Sequence, residues 1–232
     1  MSKRLKMMTS LLGISFAVAC GSSSDETTSS VVPAITQSIA PTTAVVTSTT
    51  TTTTTTTTVK QAQSMILYDF ADQSDVSDWF NQNDTVMGGV SDSTTTWVDG
   101  QLVFSGNLSL DNNGGFTSTF GPINDQLPTL MSGAEAIVVT ARGDGKTYLM
   151  QIRNYDNTRY IQRFTTVADV EQDYVLPLAD FESVDWRLSV IPNAAPIDTT
   201  TIGQLGFYLL DKQVGPFEIA ILSIKATANS SL

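Results

Sequence analysis

From Met65 onward the chain is cut into short runs rich in valine, isoleucine, threonine and aromatic residues, each bounded by glycine, proline or asparagine. The runs are Ile66–Phe70, Thr95–Val98, Gln101–Ser105, Gly115–Phe120, Ala136–Ala141, Thr147–Arg153, Tyr160–Thr165, Asp173–Leu176, Ile202–Leu210 and Phe217–Lys225. No long stretch carries a helical period. Strict alternation runs through Tyr148 to Arg153 and through Phe217 to Ile224, a pattern that buries one face of a strand and wets the other. Asp99-Gly100 stands between two runs and suits the two positive-φ positions of a type I′ hairpin. The expected class is all-β, a jelly-roll sandwich of about ten strands.

Residues 20–64 cannot belong to that core. They hold serine, threonine, alanine, valine and proline, with an unbroken threonine run from Thr49 to Thr58 and no aromatic side chain. Such a composition buries too little apolar surface to offset chain entropy and reads as a disordered tether. Its mean reach is roughly 35–40 Å. Residues 65–232 then form one domain, large enough to fold without disulfides or metal.

The start of the chain is an address. Lys3, Arg4 and Lys6 precede the largely apolar run Met7 to Ala19. As a helix this run rises about 20 Å, short of the roughly 30 Å of a bilayer core. Residues 1–19 therefore read as a secretory signal peptide. Ala17-Val18-Ala19-Cys20-Gly21 resembles a bacterial lipoprotein lipobox. That resemblance implies a diacylglyceryl group on the Cys20 sulfur, cleavage before it, and an extracytoplasmic domain held to the cell membrane by lipid.

Cys20 is the only cysteine and the sequence contains no histidine. Histidine triads, the usual zinc sets, cysteine clusters and intrachain disulfides are thereby excluded. The formal charge is −11, and removal of the three basic residues of the signal peptide leaves 9 basic against 23 acidic residues, or −14. This balance opposes nucleic acid and anionic lipid surfaces and leaves glycans or proteins as partners of an expected monomer. No Gly-x-Ser-x-Gly elbow, phosphate loop or dinucleotide fingerprint is present, so the expectation is a non-catalytic chain.

Five glycine-bearing stretches follow one another along the domain. They are Asn83–Ser91 with its Met87-Gly88-Gly89 turn, Gly106–Phe116 with Asn112-Asn113-Gly114-Gly115, and Arg142–Tyr148 ahead of Gln151-Ile152-Arg153. Ile202-Gly203-Gln204-Leu205-Gly206-Phe207 and Asp211–Phe217 complete the set. In this order they resemble the complex I intermediate-associated protein 30 family from about Ile66 to Lys225. The resemblance implies a galactose-binding-like jelly roll and, for mitochondrial members, a role in assembling respiratory complex I. Those members work on the matrix side. The export signal here separates the fold from that role.

Candidate binding residues follow from the same stretches. Asp84 stands by paired glycines that permit close backbone approach, either as a turn cap or beside a ligand or ion. Asn112 belongs to a glycine turn that could form a ligand rim. Arg142, Asp144 and Tyr148 surround the Gly143–Gly145 turn. Gln151 and Arg153 share the polar face of their run, and cross-strand pairing could gather Arg159 and Arg163 beside them. Three arginines together would either pair with acids such as Asp156 and Asp169 or offer a platform to an anionic or hydroxyl-rich ligand. Trp79, Trp97 and Trp186 are core anchors or sugar-stacking surfaces, with Trp186, between Asp185 and Arg187, expected to be half exposed. Acidic loops could hold one structural calcium ion, though no dense calcium loop is written in the sequence. The function expected is a cell-surface binding module for a glycan or protein. Alternatives are an envelope or respiratory-complex assembly factor and, last, a cryptic glycoside hydrolase.

Overall fold

The computed structural model describes residues 64–228, so the expected signal peptide, the expected lipid site at Cys20 and nearly all of the expected tether lie outside the described residues. Two six-stranded antiparallel sheets face each other. The first contains β1 (Ser64–Tyr68), β3 (Asp92–Val98), β4 (Gln101–Leu108), β6 (Ala136–Gly143), β9 (Glu171–Pro177) and β12 (Gly215–Thr227). Its order is β3-β4-β12-β6-β9, with β1 also pairing β12. The second contains β2 (Phe80–Asn83), β5 (Thr117–Phe120), β7 (Thr147–Asn154), β8 (Arg159–Thr165), β10 (Glu182–Val184) and β11 (Ile202–Leu209). Its order is β10-β8-β7-β11-β5-β2. Two single helical turns, α1 (Ser74–Ser77) and α2 (Leu127–Leu130), lie in connections.

The two strands that periodicity did not predict are β2 and β10. Both are short sheet edges, three or four residues long, and β2 reads Phe-Asn-Gln-Asn. Neither is long enough to show alternation, and pairing to β5 and β8 defines them. The Asp99-Gly100 hairpin forms as expected, with φ of 47° and 80°.

The sandwich closes over a continuous apolar cluster. A chain of aromatic rings runs through it, from Tyr68 and Phe70 to Trp79, then Phe207, Phe164 and Tyr174. Trp97 donates its indole N–H to the Phe70 carbonyl at 2.9 Å, so Trp79 and Trp97 both serve the core. One open side between the sheets is closed by polar contacts. Thr95 on β3 donates to the Thr119 hydroxyl at 2.7 Å, and Ser93 donates to Asn83 Oδ1, also at 2.7 Å. Buried hydroxyls are tolerable there because each finds a partner.

Candidate functional site

The outer face of the second sheet carries Gln151 and Arg153, two residues with unpartnered buried polar atoms. On β7, Tyr148, Met150 and Ile152 point into the core, while Leu149, Gln151 and Arg153 face the other way. Register extends this face across the sheet. Arg153 lies opposite Arg159, Gln151 opposite Ile161, and Leu149 opposite Arg163. On the other flank Gly206 sits between Gln151 and Phe120, and Phe80 pairs with Phe120 on the edge strand.

Gly206 explains how aromatic rings come to lie here. A Cβ at that position would run into the Phe120 ring, so the bare strand lets Phe120 lie flat across it. The rings of Phe80 and Tyr208 flank Phe120 at 5.7 and 5.4 Å, and Phe116 extends the row at 6.2 Å from Tyr208. The Arg153 guanidinium stands 5.6 Å from the Phe120 centroid. Phe80 is 48% exposed at the edge, so the row presents an accessible aromatic end.

Beside the rings lie donors without acceptors. Arg153 donates once, to Gln204 Oε1 at 3.2 Å, and its buried Nε has no partner. Arg159 has no carboxylate within ion-pair reach among the described residues. Gln151 is 1% exposed, and neither of its amide atoms has a hydrogen-bond partner. Burial raises the Tyr208 phenol above its ordinary pKa, opposed by the Gln151 amide and by the Arg153 and Arg159 charges. The phenol thus feels Gln151 while standing outside hydrogen-bond geometry with it. Burial and the Arg159 charge both lower the Arg153 pKa.

Other predicted residues fall elsewhere. Arg163 does not join the arginine pair, because Asp211 holds it in a fork at 2.7 and 3.0 Å. That hydrogen-bonded ion pair raises its pKa, so the expected partners Asp156 and Asp169 are replaced by Asp211. Tyr148 is a core residue, fully buried, and its hydroxyl donates to Asp144 at 3.1 Å. Burial pushes its phenol far above the ordinary value, with the Asp144 charge adding to the effect. Asp144 also accepts from the Glu218 backbone N–H at 3.1 Å and pairs with Lys146 at 3.4 Å, tying the β6–β7 hairpin to β12. Arg142 is exposed on the first sheet opposite Glu171. The Gly143–Gly145 turn is therefore structural, not part of the arginine platform.

Asp84 takes the structural one of its two expected roles, binding the two glycine loops together. Its carboxylate is fully buried and accepts from the Ser91 N–H at 2.9 Å, the Ser91 hydroxyl at 2.5 Å and the Gly115 N–H at 2.7 Å, with Phe116 N–H at 3.4 Å. Burial alone would raise its pKa, yet these donors hold it below the usual carboxylate range. Cβ atoms at Gly89 or Gly114 would collide with this carboxyl. The glycines admit Asp84, not a ligand. Asn112 is exposed in the linked loop, in a left-handed turn at φ 56°. Among the described residues no three acidic side chains cluster as a metal site.

Trp186 lies at the rim of the outer face. It is 65% exposed, with the Arg187 guanidinium 4.5 Å above its ring. Asp185 shapes this loop by accepting from Arg187 N and Ser189 N, and Leu188 packs onto the Leu149, Ile161 and Val184 cluster of the same face. The sequence reading singled out Arg153 and Trp186 but missed the ring row on this face, exposed Phe80, half-buried Tyr208 and the buried Phe120 between them. The available signal was Gly206 within a strand, which marks a close approach.

Comparison with solved structures places the sandwich among known folds. It superposes on the family 11 carbohydrate-binding module of the cellulosomal cellulase Lic26A-Cel5E of Clostridium thermocellum with a TM-score of 0.53 and 15% identity, covering 71% of this chain and 94% of that one. The same Clostridium thermocellum module in complex with a beta-1,3-1,4-mixed-linked tetrasaccharide gives a TM-score of 0.54 at 16% identity, covering 70% and 94%. A search of curated proteins returned no match. Residues 68–221 match the family Complex I intermediate-associated protein 30 (CIA30). The galactose-binding-like jelly roll expected from the glycine-bearing stretches is the fold observed, and the chain belongs to the complex I intermediate-associated protein 30 family.

Proposed function

We propose that this protein is a non-catalytic glycan-binding module, held at the outside of the cell membrane by a lipid on Cys20, and that the outer face of the second sheet is its binding surface. The observation that carries this reading is the juxtaposition on one face of an aromatic row, Phe80 to Tyr208, with the unpartnered Gln151 amide and free guanidinium donors. Rings give sugars a stacking surface, and amides and guanidinium groups fix hydroxyl or acid substituents. The fold shared with carbohydrate-binding modules supports it. A non-catalytic role is favoured because Asp211, a carboxylate beside the platform, is committed to Arg163.

The test is retention of the full-length protein by immobilised glycans, with Phe80→Ala as the comparison. Binding that weakens at least fivefold in the variant supports the surface. Absence of retention by every glycan in a broad panel refutes the function. A second reading, an assembly factor for an envelope or respiratory membrane complex, draws on the family and on Trp186, Val190 and Ile191, exposed together on one loop. A deletion strain lacking one specific membrane complex, with glycan binding absent, would favour it.

A further inference from the structure

Arg153 and Arg159 form a like-charge pair without a direct ion-pair partner among the described residues. They are direct cross-strand partners, a position in which two cations repel. Acids outnumber bases 23 to 12 in this chain, yet Arg153 and Arg159 have no ion-pair partner among the described residues. The nearby Arg163 shows what the fold does when an arginine is structural, since Asp211 holds it in a two-bond fork. Arg153 has one weak bond, to an amide oxygen, and a buried Nε without any. One position along the same face, Gln151 is 1% exposed with both amide atoms unpartnered. A buried amide left unpartnered is costly, and native folds keep few of them.

Resting on the glycan-binding reading, we infer that the ligand carries an acidic substituent, a carboxylate or sulfate ester, received between Arg153 and Arg159 while the sugar chain reaches the exposed Phe80 end of the aromatic row. A neutral sugar would leave the two cations repelling each other. An oxyanion relieves that repulsion and matches the guanidinium fork. Gln151 supplies a donor or acceptor to the same group or to a neighbouring hydroxyl. The net negative charge of the chain repels polyanions at long range, so retention of an acidic glycan reports on this local pair rather than on general adhesion.

The experiment uses the full-length protein in a non-glycosidic detergent at about 0.15 M salt, where long-range fields are screened beyond about 8 Å. Probes are polygalacturonate and hyaluronan against their methyl esters, chondroitin sulfate against its desulfated form, and a neutral mixed-linked β-glucan. Expected is binding to at least one acidic polymer tenfold or more tighter than to its uncharged counterpart. The carboxylate and sulfate arms tell which acid is read. Arg159→Gln should remove that tenfold preference, whereas Arg142→Gln on the opposite sheet should keep it. Circular dichroism and thermal melting confirm that both variants fold; Arg159, with no structural partner, is the safer of the pair to change. Equal binding of charged and uncharged forms overturns the acid inference and leaves the glycan reading standing. Unaltered preference in Arg159→Gln overturns the assignment to the arginine pair. No binding to any probe, neutral ones included, overturns the inference together with the reading beneath it.

Discussion

Replacing Asp84 should destabilise the whole domain. Its carboxylate closes two loops onto each other, since it accepts from Ser91 on one side and from Gly115 and Phe116 on the other. Hydrogen bonds to a charged acceptor are each worth about 1.5–3 kcal/mol, and a buried donor left unpaired costs about 1–3 kcal/mol. Asp84→Ala orphans two well-aligned N–H groups and a hydroxyl, so a loss of about 3–5 kcal/mol is expected. Asp84→Asn keeps the shape and one oxygen but turns an N–H₂ toward donors, for about 2–4 kcal/mol. The assay is urea unfolding followed by circular dichroism. With a slope of about 2 kcal/mol per molar, the midpoint of Asp84→Ala should fall by about 1.5–2.5 M at unchanged slope.

The pH dependence supplies a second check. The folded pKa of Asp84 is lowered, so its contribution is present above the unfolded value of about 3.9 and is lost as pH falls through the lower folded value. The stability gap between wild type and Asp84→Asn should therefore narrow in acid and stay constant above about pH 5. An Asp84→Ala midpoint within about 0.3 M of wild type, or a gap that widens in acid, would refute the reasoning.

Three other outcomes are expected. Gly206→Ala pushes a methyl into the Phe120 ring and should cost about 1–3 kcal/mol while weakening glycan retention, read by melting and by affinity electrophoresis. Tyr148→Phe loses one hydrogen bond to Asp144 and should cost about 1 kcal/mol with glycan retention unchanged, because the phenol faces the core and not the platform. Cys20→Ser should move the protein from the membrane fraction to the soluble fraction and abolish labelling by a radioactive lipid precursor; retention in membranes with labelling intact would contradict lipid attachment at this sulfur.

Alternation and turn chemistry were local, and what is local could be read directly. The inward set Tyr148, Met150 and Ile152 and the outward set Leu149, Gln151 and Arg153 are those the period-two pattern named. Asp99-Gly100 formed its hairpin because both residues accept positive φ with no help from distant contacts. The edge strands β2 and β10 escaped notice since only a neighbour makes a strand of three or four residues. For the glycines the sequence left two readings open, a structural turn or a ligand rim. Gly89 and Gly114 leave room for the Asp84 carboxyl rather than for a ligand, and Gly206 leaves room for Phe120. A sequence shows that a side chain is missing and is silent on what fills the space.

Composition and short-range order were enough to establish an all-β chain, to exclude histidine and disulfide chemistry, and to single out an arginine cluster as an anomaly in an acidic protein. Deciding which arginine is neutralised needed the fold. Asp211 reaches Arg163 across 48 positions, while Arg153 and Arg159 become neighbours without an acid between them. Strand order brings Phe120 and Gly206 into register from 86 positions apart in the numbering. Charges and rings act through distances of a few ångströms, and such distances between remote residues exist only once the sheets have paired.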